Sequence, residues 1–131
     1  MVHYIGVVHQ EGESAFGIHF PDVKGCFSAA DNLNDLLPNA TEALALHLED
    51  EALPEPRDIA ALRADTDVAA DLASGAFLLA VPHIQLSGRS AKANITMDAG
   101  LLQAIDQTAS QRGLTRSAFL ADLARREISG R

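Results

Sequence analysis

The chain has 131 residues, 47% of them hydrophobic and 21% charged, with one cysteine and a formal net charge of −8. That length holds one ordinary domain or two very small ones, and the balance of apolar and charged residues is that of a folded protein. No stretch reaches the roughly 18 apolar residues of a membrane span, Cys26 has no partner for an internal disulfide, and MVHYIGVVHQEG lacks the pattern of a secretion signal, so a cytoplasmic location is expected.

Charge is unevenly placed. Residues 1–86 carry 14 Asp and Glu against 3 Lys and Arg, whereas 87–131 carry 4 against 7. An acidic head and a basic tail predict two partners of opposite charge, the simpler explanation of the head being solubility alone.

In chain order, Val2–His9 is rich in β-formers, EGES (Glu11–Ser14) is a polar turn, and Phe16, Ile18 and Phe20 alternate in AFGIHF, so a hairpin is predicted. Pro21 ends its second strand, and CFSA starts a third. From Asn32 the period changes: Leu33, Leu36, Leu37, Ala40, Leu44, His47 and Leu48 fall on one helical face running to about Glu51, with Asn32 and Asp35 as a cap pair. Pro38 predicts a kink or a later start. PEP (Pro54–Pro56) ends that helix, DIAALRA is a short helical piece, DTDVAADLASG is polar and poorly periodic, and AFLLAVP (Ala76–Pro82) reads as a buried fourth strand. The fold class is therefore α+β, with a β-β-β-α-β head over 1–86.

Residues 87–90 have linker composition. Beyond them, AKANITMD alternates as a half-buried strand. Asp98 caps a helix carrying Leu101, Leu102, Ile105 and Ala109 that stops at Gly113, and Thr115 caps a second with Phe119, Leu120, Leu123, Ala124 and Ile128 inward. A strand and two helices in about 40 residues enclose too little core to stand alone. Antiparallel pairing of the strand with its copy in a second chain satisfies its backbone, so 91–131 is expected to be an obligate homodimer.

In such a ribbon Ala93, Ile95 and Met97 face the helices, leaving Lys92, Asn94 and Thr96 exposed at the width of a DNA major groove. Lysine can donate to guanine, asparagine can pair with adenine, and a threonine methyl can meet thymine. Thr115, Arg116 and Ser117 at the second helix start offer N–H groups, a cation and hydroxyls for a phosphate. Arg125 and Arg126 read as surface charges at a helix C-terminus.

KANITMDAGLLQAIDQTASQRGLTRSAFLADLARREI resembles a ribbon-helix-helix DNA-binding domain throughout. FGIHFPDVKGCFSAADNLNDLLPNATEALALHLED is similar to the N-terminal domain of HicB-type antitoxins, a partial ribonuclease-H-like fold. The resemblance implies an antitoxin whose head covers a HicA-type toxin, a small basic protein that cleaves messenger RNA, and whose tail represses its own operon by binding operator double-stranded DNA, with further association beyond the dimer through the head left open.

No cofactor or metal is expected. His3, His9, His19, His47 and His83 lack paired ligand spacing, and Cys26 reads as a small core residue beside Phe27. Nuclease chemistry needs convergent carboxylates, whereas Asp22, Asp31, Asp35 and Glu42 occupy turn, cap and exposed-helix positions, and Glu49, Asp50 and Glu51 read as a solvated helix end, so the head is expected to be non-catalytic. The competing function is a repressor whose head senses a metal or small molecule through the histidines and Cys26.

Overall fold

Four segments of the head build a sheet: β1 (Val2–His9), β2 (Phe16–His19), β3 (Phe27–Ala30) and β4 (Phe77–His83). The computed structural model, which describes residues 1–85 and 89–130, orders them β3-β2-β1-β4 with every neighbouring pair antiparallel. Tyr4 lies opposite Val81 and Val8 opposite Ile18, so these four share one face, as strand periodicity requires. On it lies α1 (Leu33–His47), whose Leu36, Ala40 and Leu44, followed by Leu48, are all buried with Tyr4, Val8, Ile18, Phe20, Val23 and Cys26. Gly6 falls on the same face because a methyl there would overlap the Ile18 side chain.

The cap of α1 is as the sequence predicts. Asn32 Oδ1 accepts the Asp35 N–H at 3.0 Å while its Nδ2 donates to the Asp35 carboxylate at 2.9 Å. Of the two alternatives raised by Pro38, a kink or a later start, the later start is excluded, since the helix begins at Leu33 and carries Pro38 inside it. Proline removes the donor to the Asn34 carbonyl and its ring crowds that carbonyl; Asn34 is exposed, so the carbonyl can turn to solvent. The buried face is narrower than periodicity implied: Leu33 and His47 are exposed, and the helix ends at His47 rather than near Glu51. Asp50 follows in the left-handed region, φ 59°, which aspartate tolerates better than most residues.

The opposite face of the sheet has a smaller cover. Val7 is buried there with Leu62 of α2 (Ile59–Ala64) and Val68 of α3 (Thr66–Ala73), and Ile5, Leu72 and Leu78 pack around them. The segment read as poorly periodic is thus a helix. Its start is set by Asp65, whose Oδ1 accepts the N–H groups of Asp67 and Val68 at 3.0 and 3.2 Å.

The chain divides into two compact units, Met1–Gln85 together with Ser129–Arg131, and Leu86–Ile128; residues 87 and 88 of the expected linker lie outside the described residues. In the second unit α4 (Ala99–Gln111) begins where Asp98 Oδ1 accepts the Leu101 N–H at 2.9 Å. After a turn at Gly113, φ 68°, α5 (Arg116–Ile128) begins where Thr115 Oγ1 accepts the Ala118 N–H at 3.1 Å. The two helices bury Ile105, Ala109 and Phe119 between them, with Met97 and Leu120 packed alongside.

Candidate functional site

In the tail, residues 91–98 form no strand within the single chain. Lys92, Asn94 and Thr96 are exposed there, as predicted. The inward row departs from expectation, because Met97 packs on the helices whereas Ala93 is exposed and Ile95 is 63% exposed. The expected strand lies outside the four-stranded sheet of the head. Leu101 is 54% exposed, and Leu114, Leu123 and Ile128 also stand in solvent, which corrects the inward reading of Leu101, Leu123 and Ile128 for the single chain. The described part of this unit buries three side chains while Ile95, Leu101, Leu114, Leu123 and Ile128 stand exposed, a core small for an independent domain.

The residues predicted to hold phosphate are brought together at the start of α5, but two of them already have partners. Thr115 spends its hydroxyl oxygen on the Ala118 N–H. Arg116 makes a two-pronged contact with Asp106 of α4, Nε to Oδ1 at 2.8 Å and Nη2 to Oδ2 at 2.7 Å. This pair raises the Arg116 pKa and holds the Asp106 carboxyl below its ordinary range. Both side chains remain about half exposed, where such pairs are weak and exchangeable. Ser117 is exposed. Farther along α5, Arg126 pairs with Asp122 one turn earlier at 2.9 Å.

In the head, two of the carboxylates weighed for nuclease chemistry, Asp22 and Asp35, have other work. Asp22 binds Arg57 twice, from the backbone N–H at 2.9 Å and from Nε at 2.6 Å, and Arg57 Nη1 reaches Asp65 at 3.1 Å. The Arg57 bond, followed by the N–H bonds from α3, holds Asp65 below the usual carboxylate range. Asp35 serves the α1 cap, while Asp31, Glu42, Glu49, Asp50 and Glu51 are exposed. Cys26 is buried in the core on the α1 side, with its thiol pushed up by burial. Its neighbour Phe27 is 70% exposed rather than sharing that core.

The histidines part company. His3 and His47 are exposed, and His83 is buried with its ring edge-on to Tyr4 and no hydrogen-bond partner on Nδ1. His9 and His19 meet on the face opposite α1, with His9 Nε2 and His19 Nδ1 3.3 Å apart and rings nearly parallel at 13°. Asp71 of α3 approaches both, its Oδ2 lying 4.0 Å from His9 Nε2 and 3.8 Å from His19 Nε2. Burial lowers the His19 pKa, His9 adds to the effect and Asp71 opposes it. Sequence spacing pointed to no such grouping. Its only signal was the hairpin register, in which Val7 faces His19 and His9 faces Gly17, making the two histidines diagonal neighbours on one face.

His19 and Asp71 also line a groove of about 400 Å³, together with Phe20, Lys24, Phe27, Arg57 and Asp65. Three carboxylates, Asp65, Asp67 and Asp71, line it beside the cations Lys24 and Arg57 and the exposed Phe27.

Comparison with known proteins places this arrangement. A family model described as the HicB-like antitoxin of bacterial toxin–antitoxin systems matches residues 4–124. An uncharacterised 14.9 kDa protein of Haemophilus phage HP1 is 35% identical over 117 residues, covering 82% of this chain and 84% of its own. Among solved structures, the antitoxin HicB of Burkholderia pseudomallei is 27% identical with a TM-score of 0.56, covering 95% of this chain and 96% of its own. The antitoxin HicB3 is 34% identical with a TM-score of 0.55, over 97% and 98% respectively. A chain from a HicA3 and HicB3 toxin–antitoxin complex, 29% identical with a TM-score of 0.52, is covered completely by 64% of this chain. With nearly its full length matched, and with a sheet-and-helix head followed by two capped helices, the chain belongs to the HicB-like antitoxin family of bacterial toxin–antitoxin systems.

Proposed function

We propose that this protein is both the antitoxin and the autorepressor of a two-gene toxin–antitoxin module. The acidic head binds a HicA-type toxin and keeps it from messenger RNA. The basic tail dimerises as a ribbon-helix-helix and binds operator DNA.

The observation that carries the tail reading is the contrast between Ile105, Ala109 and Phe119, the only buried side chains among the described residues of the tail, and the exposed Ile95, Leu101, Leu114, Leu123 and Ile128. A second copy pairing through 91–97 would cover that surface and satisfy the strand's backbone. Lys92, Asn94 and Thr96 would then project from a two-stranded ribbon toward base edges. Thr115, Arg116 and Ser117 would set the ribbon's register by holding a phosphate at the start of α5, with Arg116 trading its half-exposed Asp106 partner for the anion.

The head reading draws on the family match and on charge, since 14 acidic side chains against 3 basic ones over residues 1–86 suit a cationic partner. Purified full-length protein mixed at equimolar ratio with a HicA-type toxin should abolish RNA cleavage, and the complex should weaken as salt rises. Undiminished cleavage at that ratio would remove the antitoxin role. A gel-shift titration with the DNA upstream of its own gene tests the repressor role separately: a specific, salt-sensitive complex supports it, and binding no tighter than to unrelated DNA rejects it.

A further inference from the structure

His9, His19 and Asp71 come from β1, β2 and α3, yet one ligating atom of each lies within 4.8 Å of the other two. Among the described residues this is the only trio of histidine, cysteine or carboxylate atoms so placed. We propose that these three side chains bind a divalent transition-metal cation, with zinc the best match, leaving a fourth coordination position open to solvent.

The spacing favours that chemistry. A tetrahedral zinc ion with bonds to nitrogen of about 2.0–2.1 Å separates two of its nitrogen ligands by about 3.4 Å, and His9 Nε2 and His19 Nδ1 stand 3.3 Å apart. Asp71 Oδ2 lies 4.0 Å from that His9 Nε2, and its 3.8 Å approach to His19 is to the other ring nitrogen, Nε2, so the third bond requires the Asp71 side chain to move toward the His9 Nε2 and His19 Nδ1 pair. Two imidazoles and one carboxylate suit zinc, copper or nickel, whereas calcium and magnesium require an oxygen shell that this trio does not offer. Three protein ligands with an open fourth position is the arrangement of a reactive or exchangeable site rather than a sealed structural one.

Packing does not account for the cluster. The core on this face is made by Val7, Leu62 and Val68, and the trio sits outside it with each side chain partly exposed. The competing explanation is a histidine pair sharing one hydrogen bond, with Asp71 as its acidic neighbour. His19 and Asp71 also border the 400 Å³ groove, so the open position faces a space that water, or a donor atom of a bound partner, can enter. A cation here would tie the first hairpin to α3, joining segments more than 50 residues apart in the sequence. The site does not depend on the antitoxin reading, because its test reads metal binding directly.

That test is calorimetric titration of the untagged, chelator-treated full chain with zinc chloride, repeated with His9→Ala, His19→Ala, Asp71→Asn and, as a control, His47→Ala. The expected result is one zinc per chain, weakened at least about ten-fold in each of the first three variants and unchanged in the fourth. Cobalt should give the visible absorption of a low-coordinate site in the native protein and lose it with His19→Ala. Absent zinc binding, or binding equally tight in His9→Ala and His19→Ala, overturns the proposal. Should a histidine variant fail to fold, Asp71→Asn decides, since it keeps the helix and nearly the same volume; native affinity in that variant counts against the site.

Discussion

The two units bury apolar surface to very different extents. The head closes on itself: α1 seals one face of the sheet with twelve buried residues in a single cluster, and α2 and α3 seal part of the other with three more. The tail has helices of similar quality, each with a side-chain cap, but encloses only three residues. Well-formed secondary structure therefore does not make an independent domain; what matters is whether apolar faces find each other within one chain. The head is expected to unfold as a self-contained unit, and the tail to depend on a second molecule.

The largest effect that separates the two regions should come from Leu44→Ala, which empties a fully buried position beneath α1. Its cost is expected to be about 2–5 kcal/mol. Denaturant unfolding should show that loss at every protein concentration, and a loss that varied with dilution would mean that the head, too, relies on a partner.

Asn94→Ala tests the tail without touching a core, since Asn94 is exposed. At a matched operator site it should cost about 1–3 kcal/mol and relax the preference for one base pair. Arg116→Ala should instead weaken all sequences alike and reduce the salt slope by about one. If both substitutions eroded sequence preference equally, as measured by competition binding, the division between base readers and phosphate clamps would fail.

Tyr4 sharpens the picture of the head because it is the only tyrosine in the chain. Its hydroxyl donates to the Pro54 carbonyl at 2.7 Å, and burial, with Glu55 and Asp22 contributing, raises its pKa above the ordinary 10.0. Folding favours the neutral phenol, so its contribution is fully present below pH 10 and is lost as pH rises through the folded value. Tyrosinate absorbance should appear above pH 10 together with unfolding of the head, and ionisation at or below pH 10 with the fold intact would contradict this. Tyr4→Phe should cost about 1 kcal/mol.

The smallest change in stability is expected from Asp106→Asn, whose carboxylate meets Arg116 at the surface. Tm should scarcely move, while DNA affinity should rise because the substitution frees the guanidinium and removes a negative charge. An unchanged affinity in a gel-shift titration would show that Arg116 does not exchange Asp106 for phosphate.

Much of this architecture was legible in local patterns. β-forming composition marked β1, alternation marked β2, the Asn32 and Asp35 pair marked the start of α1, and Asp98 and Thr115 marked the starts of α4 and α5, because caps and strand patterns are written in neighbouring residues. Helix α3 escaped because Val68 and Leu72 are its only large apolar residues, one i,i+4 pair in eight residues and too short a stripe to stand out; Asp65, three residues before Val68, was the available sign. His9, His19 and Asp71 were illegible for another reason. Their meeting depends on the register of one hairpin and on the placement of a helix some 50 residues later, neither of which any local spacing encodes. The row Ala93, Ile95 and Met97 alternates in sequence, yet within the single chain only Met97 packs against the helices.

Hydrogen exchange of the backbone amides of residues 91–97, followed over a dilution series of the full-length protein, tests the dependence of the tail on its twin most directly. Protection that grows with protein concentration, accompanied by protection of α4 and α5, is the predicted result. Protection that stays constant on dilution, or amides of 91–97 that exchange freely while both helices remain protected, would contradict it.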